Sequence, residues 1–354
     1  MNNFNKGEIM NKLTKVGLSA LAGSLAVVSA NASDYSVTGD TQVVWSSAEG
    51  NEASSNASNG KGIGVDTDIY FTAGGETDNG WTVSVFTAMD MEQSNTATSG
   101  GLNSSAQMTI GMGSLGTVQF NDISGSAANA IDDVLPKAYE EAWDGTSHAS
   151  DFHSFGSSTQ SGSVDYRLPA LSFGDMSLSL TATYDPNSGS GPASAGGVGS
   201  NDAAGEAFTA KLDTGMGFVI GAGHETYASN AAGTTGASDG DRATGYILYS
   251  NGPVSVGYQE MAINSSSAGA NTTQAPDVEG DGMAIAFTQD NLSVSYAEVN
   301  EEVKDISATT SLEVEMTALQ ATYTMGAMTL GASMYETDNP EGTTGKYEET
   351  ELSV

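Results

Sequence analysis

Residues 122–161 form the longest stretch without strand periodicity, and ionisable chemistry is concentrated there. Asp122, Asp132, Asp133, Glu140, Glu141, Asp144 and Asp151 stand against a single base, Lys137. Two readings suit such a stretch. It is an acidic loop exposed to solvent, or it lines a narrow water-filled gap and gives that gap a negative field that favours cations. Val134, Leu135, Tyr139, Trp143, Phe152 and Phe155 favour the second, because they need burial against something. The segment VLPKAYEEAW, 134–143, reads as a short helix inside the loop. In the flanking sequence Val164, Tyr166 and Leu168 share one row, so Asp165 and Arg167 share the other. Phe208 and Leu212 likewise put Lys211 on the polar row with Asp213. Arg167 and Lys211 are the expected basic wall facing the acids. Opposed charges across a low-dielectric gap would order water and select polar solutes. The alternative for each base is a local ion pair, with Asp165 or Asp213.

Other chemistry is thin. His148, His153 and Asp151 are poorly spaced for a metal, and no third strong ligand is evident. Asp277, Glu279 and Asp281 alternate at a loop edge and could hold Ca2+ through carboxylate oxygens, though not in an EF-hand pattern. No histidine-paired nucleophile is evident. With no cysteine, thiolate zinc, disulfides and a cysteine nucleophile are excluded. The expectation is a non-enzyme without a catalytic residue, metal site or cofactor, Ca2+ being the single exception considered.

The elements that position these residues are strands. In DYSVTGDTQVVWSS, Tyr35, Val37, Thr41, Val43 and Trp45 oppose Ser36, Thr38, Asp40 and Gln42. In GIGVDTDIYFTA, Ile63, Val65, Ile69 and Phe71 oppose Asp66, Asp68 and Tyr70. Sixteen such period-two segments run from 34–46 to 347–354, among them 162–169 and 282–289. Their connections alternate long and short: GSLG, TGMG, NGP, DN and MGA against 47–61, 122–161, 185–205 and 262–281. A soluble sandwich has no reason for that alternation. It fits an all-β, 16-stranded antiparallel transmembrane β-barrel, with tight turns at one end and long loops at the other. Sixteen strands enclose a lumen too wide to fill with side chains, so the polar row must face water and the apolar row lipid. Aromatic residues near strand ends, such as Tyr35, Trp45, Phe120, Tyr258 and Tyr335, read as interfacial girdles.

Residues 1–32 read as an export signal: Lys6, Lys12 and Lys15, an apolar run at 16–30, then Ala30-Asn31-Ala32. Residues 33–354 then hold 43 acids and 7 bases. So acidic a chain has little with which to hold nucleic acid through phosphates. An exported acidic β-rich adhesin or surface-layer protein is the competing reading, and it would not need alternating loop lengths.

QMTIGMGSLGTVQF at 107–120 resembles the strand–turn–strand before the constriction loop of trimeric Gram-negative porins. DYSVTGDTQVVW resembles their first strand and NGWTVSVFTAMDME their third, and the chain is similar to the alphaproteobacterial branch. The resemblance implies an outer-membrane homotrimer for passive diffusion of ions and small hydrophilic solutes. It also implies that the third external loop, about 122–161, folds into the lumen. Asp132, Asp133, Glu140, Glu141, Asp144 and Asp151 would then line the constriction, and cations would pass preferentially. Two features depart from the family. Few arginines are present for a basic wall, and the sequence stops at Val354, in the strand YEETELSV, where such porins end in an aromatic residue.

Overall fold

The computed structural model describes residues 34–50, 59–90, 103–145, 150–186, 204–229, 238–265, 277–304, 313–340 and 344–354. The export signal read at 1–32 and His148 lie outside them.

The chain winds up and down in sequence order: β1 (Asp34–Gly50), β2 (Gly60–Glu76), β3 (Thr82–Asp90), β4 (Asn103–Gly111), β5 (Thr117–Asp122), β6 (Val164–Arg167), β7 (Leu171–Phe173), β8 (Met176–Asp185) and β9 (Gly205–Asp213). It continues through β10 (Phe218–Ser229), β11 (Ser238–Asn251), β12 (Val254–Ser265), β13 (Asp277–Gln289), β14 (Leu292–Lys304), β15 (Glu313–Met325), β16 (Met328–Asp338) and β17 (Lys346–Ser353). Neighbours pair antiparallel, and β17 pairs with β1, from Val44 opposite Ser353 to Gly50 opposite Tyr347, so the sheet closes. β6 and β7 both pair with β8, with registers one residue apart. They form one wall strand with a bulge at Pro169, whose missing N–H cannot join the ladder. The barrel therefore has 16 staves.

Two sequence boundaries move. The sixth stave does not stop at 169; it resumes after the bulge and runs to Phe173. Asp277–Asp281 belongs to β13, not to a loop edge. There Asp277, Glu279 and Asp281 share one outward row, and Glu279 pairs with Lys304 at 2.6 Å. They do not converge on a common point among the described residues.

The faces follow the inverted order of a membrane barrel. Ile63, Val65, Ile220, Ile285, Leu319 and Met334 are exposed on the outward row. Tyr35, Phe120, Tyr258 and Tyr296 join them, but Tyr335 does not. Tyr335 lies in the inward row with Ser333 and Thr337, and it is 2% exposed.

Candidate functional site: the loop-lined lumen

The barrel has no filled centre. Its buried apolar cluster lies between the third external loop and the inner wall. Leu135, Trp143 and Phe152 of the loop pack with Met261, Val278, Val299, Val314, Met316 and Tyr335 of the wall. A smaller cluster joins Phe155 and Ala128 to Ala207 of β9. The inward row is glycine where the loop comes closest. A Cβ at Gly257 would lie 2.6 Å from Pro136, and one at Gly282 would lie 2.8 Å from Leu135. At Gly223 it would collide with the Phe155 ring.

Buried polar side chains of the wall then fasten the loop backbone. Asp165 on β6 accepts from the Ala127 N–H at 2.9 Å. Glu225 on β10 accepts from the Gly156 N–H at 2.9 Å and the Thr159 hydroxyl at 3.0 Å. Gln259 on β12 accepts from the Val134 N–H at 2.9 Å and donates to the Ile131 and Asp132 carbonyls at 3.1 and 2.9 Å. Glu301 on β14 accepts from the Phe152 N–H at 2.7 Å. Gln320 on β15 accepts from the Tyr139 N–H at 3.1 Å and donates to the Glu140 carbonyl at 2.5 Å. Ser295 adds an acceptor for the Ala138 N–H at 2.8 Å. On the far side, Gln42 of β1 donates to the Tyr139 hydroxyl.

These bonds explain why 134–143 is not the expected helix. Helix formation needs the N–H groups of residues 138 and 139 to bond back to carbonyls four residues earlier. Wall side chains take them instead. Pro136 supplies no N–H of its own. A single 3-10 turn, Asn129–Ile131, precedes the segment.

The loop carries its acids into a partly dry setting. Burial pushes the Asp132 carboxyl up to about 6, although it accepts from the Asn129 amide at 2.9 Å and the Asp133 N–H at 2.7 Å. Burial also raises Asp133, opposed by Lys137, which stands 3.5 Å away. Lys137 forms a second ion pair with Glu141. Burial, reinforced by repulsion from Asp144, raises Glu140. Asp144 is itself raised by burial and accepts from the Glu141 N–H at 3.0 Å. Asp151 is half-buried, and its carbonyl accepts from the Ser154 N–H at 3.0 Å.

The two expected wall bases differ. Arg167 faces inward and pairs with the buried Asp165 at 3.4 Å, which is the local alternative read from the sequence. Lys211 also faces inward, in the same row as Ala207, and is exposed; it makes no ion pair among the described residues. The row that Arg242 occupies is not legible in the sequence. It lies on β11 facing inward, pairs with Glu225 at 3.1 Å, donates to the Ser158 hydroxyl at 2.6 Å and covers the Tyr227 ring at 4.3 Å. The anchors Gln259, Gln320, Glu225 and Glu301 are not marked out in the sequence. Their one signal was the apolar inward row around them, for example Val314, Met316 and Ala318, which a wet lumen would not explain.

The anchors run from β6 round to β15 and on to Gln42. The inward face of β2 and β3 receives none of them and carries Asp66, Asp68 and Asp90, whose carboxylates lie within 4.8 Å of one another. Asp40 of β1 sits opposite Asp68 in the ladder. The passage therefore has the acidic loop on one side and this carboxylate wall on the other.

Known structures share this architecture. OmpT of Vibrio cholerae, in its trimer form, superposes with a TM-score of 0.61 at 9% identity, over 92% of this chain and 99% of that one. The anion-selective porin of Comamonas acidovorans gives 0.62 at 12% identity, over 91% and 99%. A multiple mutant of Rh. blastica porin gives 0.54 at 15% identity, over 91% and 99%. No curated protein matches the sequence. The family model for Gram-negative porins matches residues 17–354, nearly all of the chain. With a closed 16-stave barrel, an outward apolar row and a loop folded into its lumen, the chain belongs to the Gram-negative porin family, whose members are channels of the outer membrane.

Proposed function

We propose that this outer-membrane channel passes ions and small hydrophilic solutes by passive diffusion and prefers cations. One observation carries the preference: where the bases are. Of the seven in 33–354, Lys137, Arg167, Arg242, Lys304 and Lys346 are each held in ion pairs with carboxylates. Lys211 is then the one inward base without such a partner among the described residues. Against it stand the acids of the third loop and the wall of Asp40, Asp66, Asp68 and Asp90. Carboxylates lining a water-filled constriction favour cations. The fold does not dictate this sign, since the Comamonas relative is anion-selective.

Asp132, Asp133, Glu140, Glu141, Asp144 and Asp151 are the proposed constriction acids, with Arg167 and Lys211 as a sparse basic wall. The channel needs no catalytic residue and no cofactor. We also propose a homotrimer, supported by the trimer form of the Vibrio cholerae relative, made after removal of an export signal at 1–32. Reversal potentials of the reconstituted protein in a KCl gradient test the selectivity, and an anion-selective channel would refute it. Native mass measurement in detergent tests the trimer, and a monomer would refute that.

A further inference from the structure

Two aromatic side chains face the lumen away from the loop's apolar packing. Tyr70 of β2 and Phe86 of β3 lie in the inward rows that hold Asp68 and Asp90. Their rings stack, with centroids 6.1 Å apart and planes 19° apart. Tyr70 stands opposite Ala88 and Phe86 opposite Thr72, so the rings meet on the diagonal, where the small Ala88 leaves room. Both are half-buried, and neither belongs to the apolar clusters beneath the third loop. Tyr335, also on an inward row, is sealed by that loop instead.

Beside the rings runs a row of carboxylates. Asp40, Asp68 and Asp90 stand side by side across β1, β2 and β3. The Asp66 carboxylate comes within 4.8 Å of those of Asp68 and Asp90. The Tyr70 hydroxyl donates to Asp68 Oδ2 at 3.0 Å, which ties the ring edge to the charged row. One pleat of the strand, about 7 Å, separates the backbone of Asp68 from that of Tyr70. A cavity of about 770 Å³ opens on the same row, bounded on its lumen side by Thr38, Asp40, Gln42 and Asp68 of the wall and by Tyr139 of the loop. Thr38 is the ladder partner of Tyr70, so the cavity and the rings adjoin.

A hydrated metal ion would use the carboxylates and gain nothing from the rings. A neutral apolar solute would use the rings and gain nothing from the carboxylates. A molecule with both parts uses both, because a ring face attracts an ammonium group and offers contact area to an apolar body. We propose that this wall is a subsite for organic cations: an ammonium group sits among Asp40, Asp66, Asp68 and Asp90, and an apolar or aromatic body about one pleat away lies on Tyr70 and Phe86. Such a solute reaches the wall only through the solute-permeable passage proposed above, on which the site rests. Its body would cover apolar surface that otherwise meets water.

Planar bilayers holding the full chain in symmetric KCl give the test. Three probes separate the parts: 3-phenylpropylammonium carries charge and ring, propylammonium the charge alone, and 3-phenylpropanol the ring alone. The half-blocking concentration of 3-phenylpropylammonium should lie about tenfold below that of propylammonium, and the alcohol should not block. This comparison needs no variant. Phe86→Leu should raise the 3-phenylpropylammonium value about threefold and leave the propylammonium value where it was. Asp68→Asn should weaken block by both ammonium probes. Equal block by the two ammonium probes in the wild type, block by the alcohol in the same concentration range, or a 3-phenylpropylammonium block unmoved by Phe86→Leu would each overturn the subsite. Ring-dependent block in a channel that proves anion-selective in a KCl gradient would support the subsite while refuting the channel's ion preference.

Discussion

Neutralising Asp132, Asp133, Glu140 and Glu141 together, as Asn and Gln, should move the channel from clear to slight cation selectivity. The loop carries seven carboxylates against Lys137, a surplus of six. Arg167 and Arg242 do not offset it, because Asp165 and Glu225 already neutralise them. A unit charge about 10 Å from the axis contributes about 0.4 kcal/mol in water, cut to about 0.1 kcal/mol by screening at about 0.15 M salt. Six such charges give about 0.7 kcal/mol, hence about threefold enrichment of cations, equal depletion of anions and a permeability ratio of about ten. With four removed, the ratio falls to about two. In a tenfold KCl gradient the reversal potential should therefore drop from about 40 mV to about 15 mV. Planar-bilayer recording of wild type and variant measures both. An anion-selective wild type, or a potential unmoved by the quadruple change, would mean that the loop acids do not govern permeation.

Replacing Gln259 by Leu strands the Val134 N–H and the Ile131 and Asp132 carbonyls; at about 1–3 kcal/mol for a buried group left unsatisfied, the loop should loosen, seen as noisier single-channel current and faster proteolysis within 123–163. Gly282→Val should act similarly through sterics, since its Cβ would press on Leu135, and a conductance identical to wild type would contradict the packing. Asp132 has a folded value of about 6, above its ordinary one, so its ionised form is disfavoured in the folded loop. That penalty is full above about pH 6 and declines as pH falls from there toward the ordinary carboxylate range. Amides 131–135 should accordingly exchange more slowly at pH 5 than at pH 8 once intrinsic rates are corrected, and Asp132→Asn should abolish the difference.

The barrel was legible because its rules are local. Period two marks each stave, and a Gly, Asn or Pro turn marks every second connection. Where strands run past the bilayer both rows turn polar and the pattern fades, which is why Asp277–Asp281 read as loop. The bulge at Pro169 was invisible because a register shift is a property of two strands. The loop's acids could be named, but not its fastening. Gln259 and Glu225 are ordinary members of a polar row until a backbone 69 to 125 residues away in sequence is laid across them. Tyr335 shows what parity alone could have done. Leu330, Ala332 and Met334 set the lipid row, so residue 335 had to face inward, and an aromatic residue facing a wet lumen implies a cover.

That cover divides the wall by function. On β6 and from β10 to β17 the inward row is a socket: glycine where the loop presses, apolar where Leu135 and Phe152 sit, amide or carboxylate where loop N–H groups arrive. A socket of this kind needs buried acceptors, and Glu225 and Asp165 serve. A buried carboxylate in turn needs a counter-charge, and Arg242 and Arg167 supply it. Two of the chain's few bases are thereby committed to holding the loop in place. The passage is left to the inward rows of β1 to β3 and of β8 and β9, where Asp40, Asp66, Asp68 and Asp90 meet Lys211 alone. The proposed cation preference would then follow from how the loop is anchored. Arg242→Leu should loosen the loop with little effect on selectivity, whereas Asp68→Asn should lower selectivity and leave the loop seated.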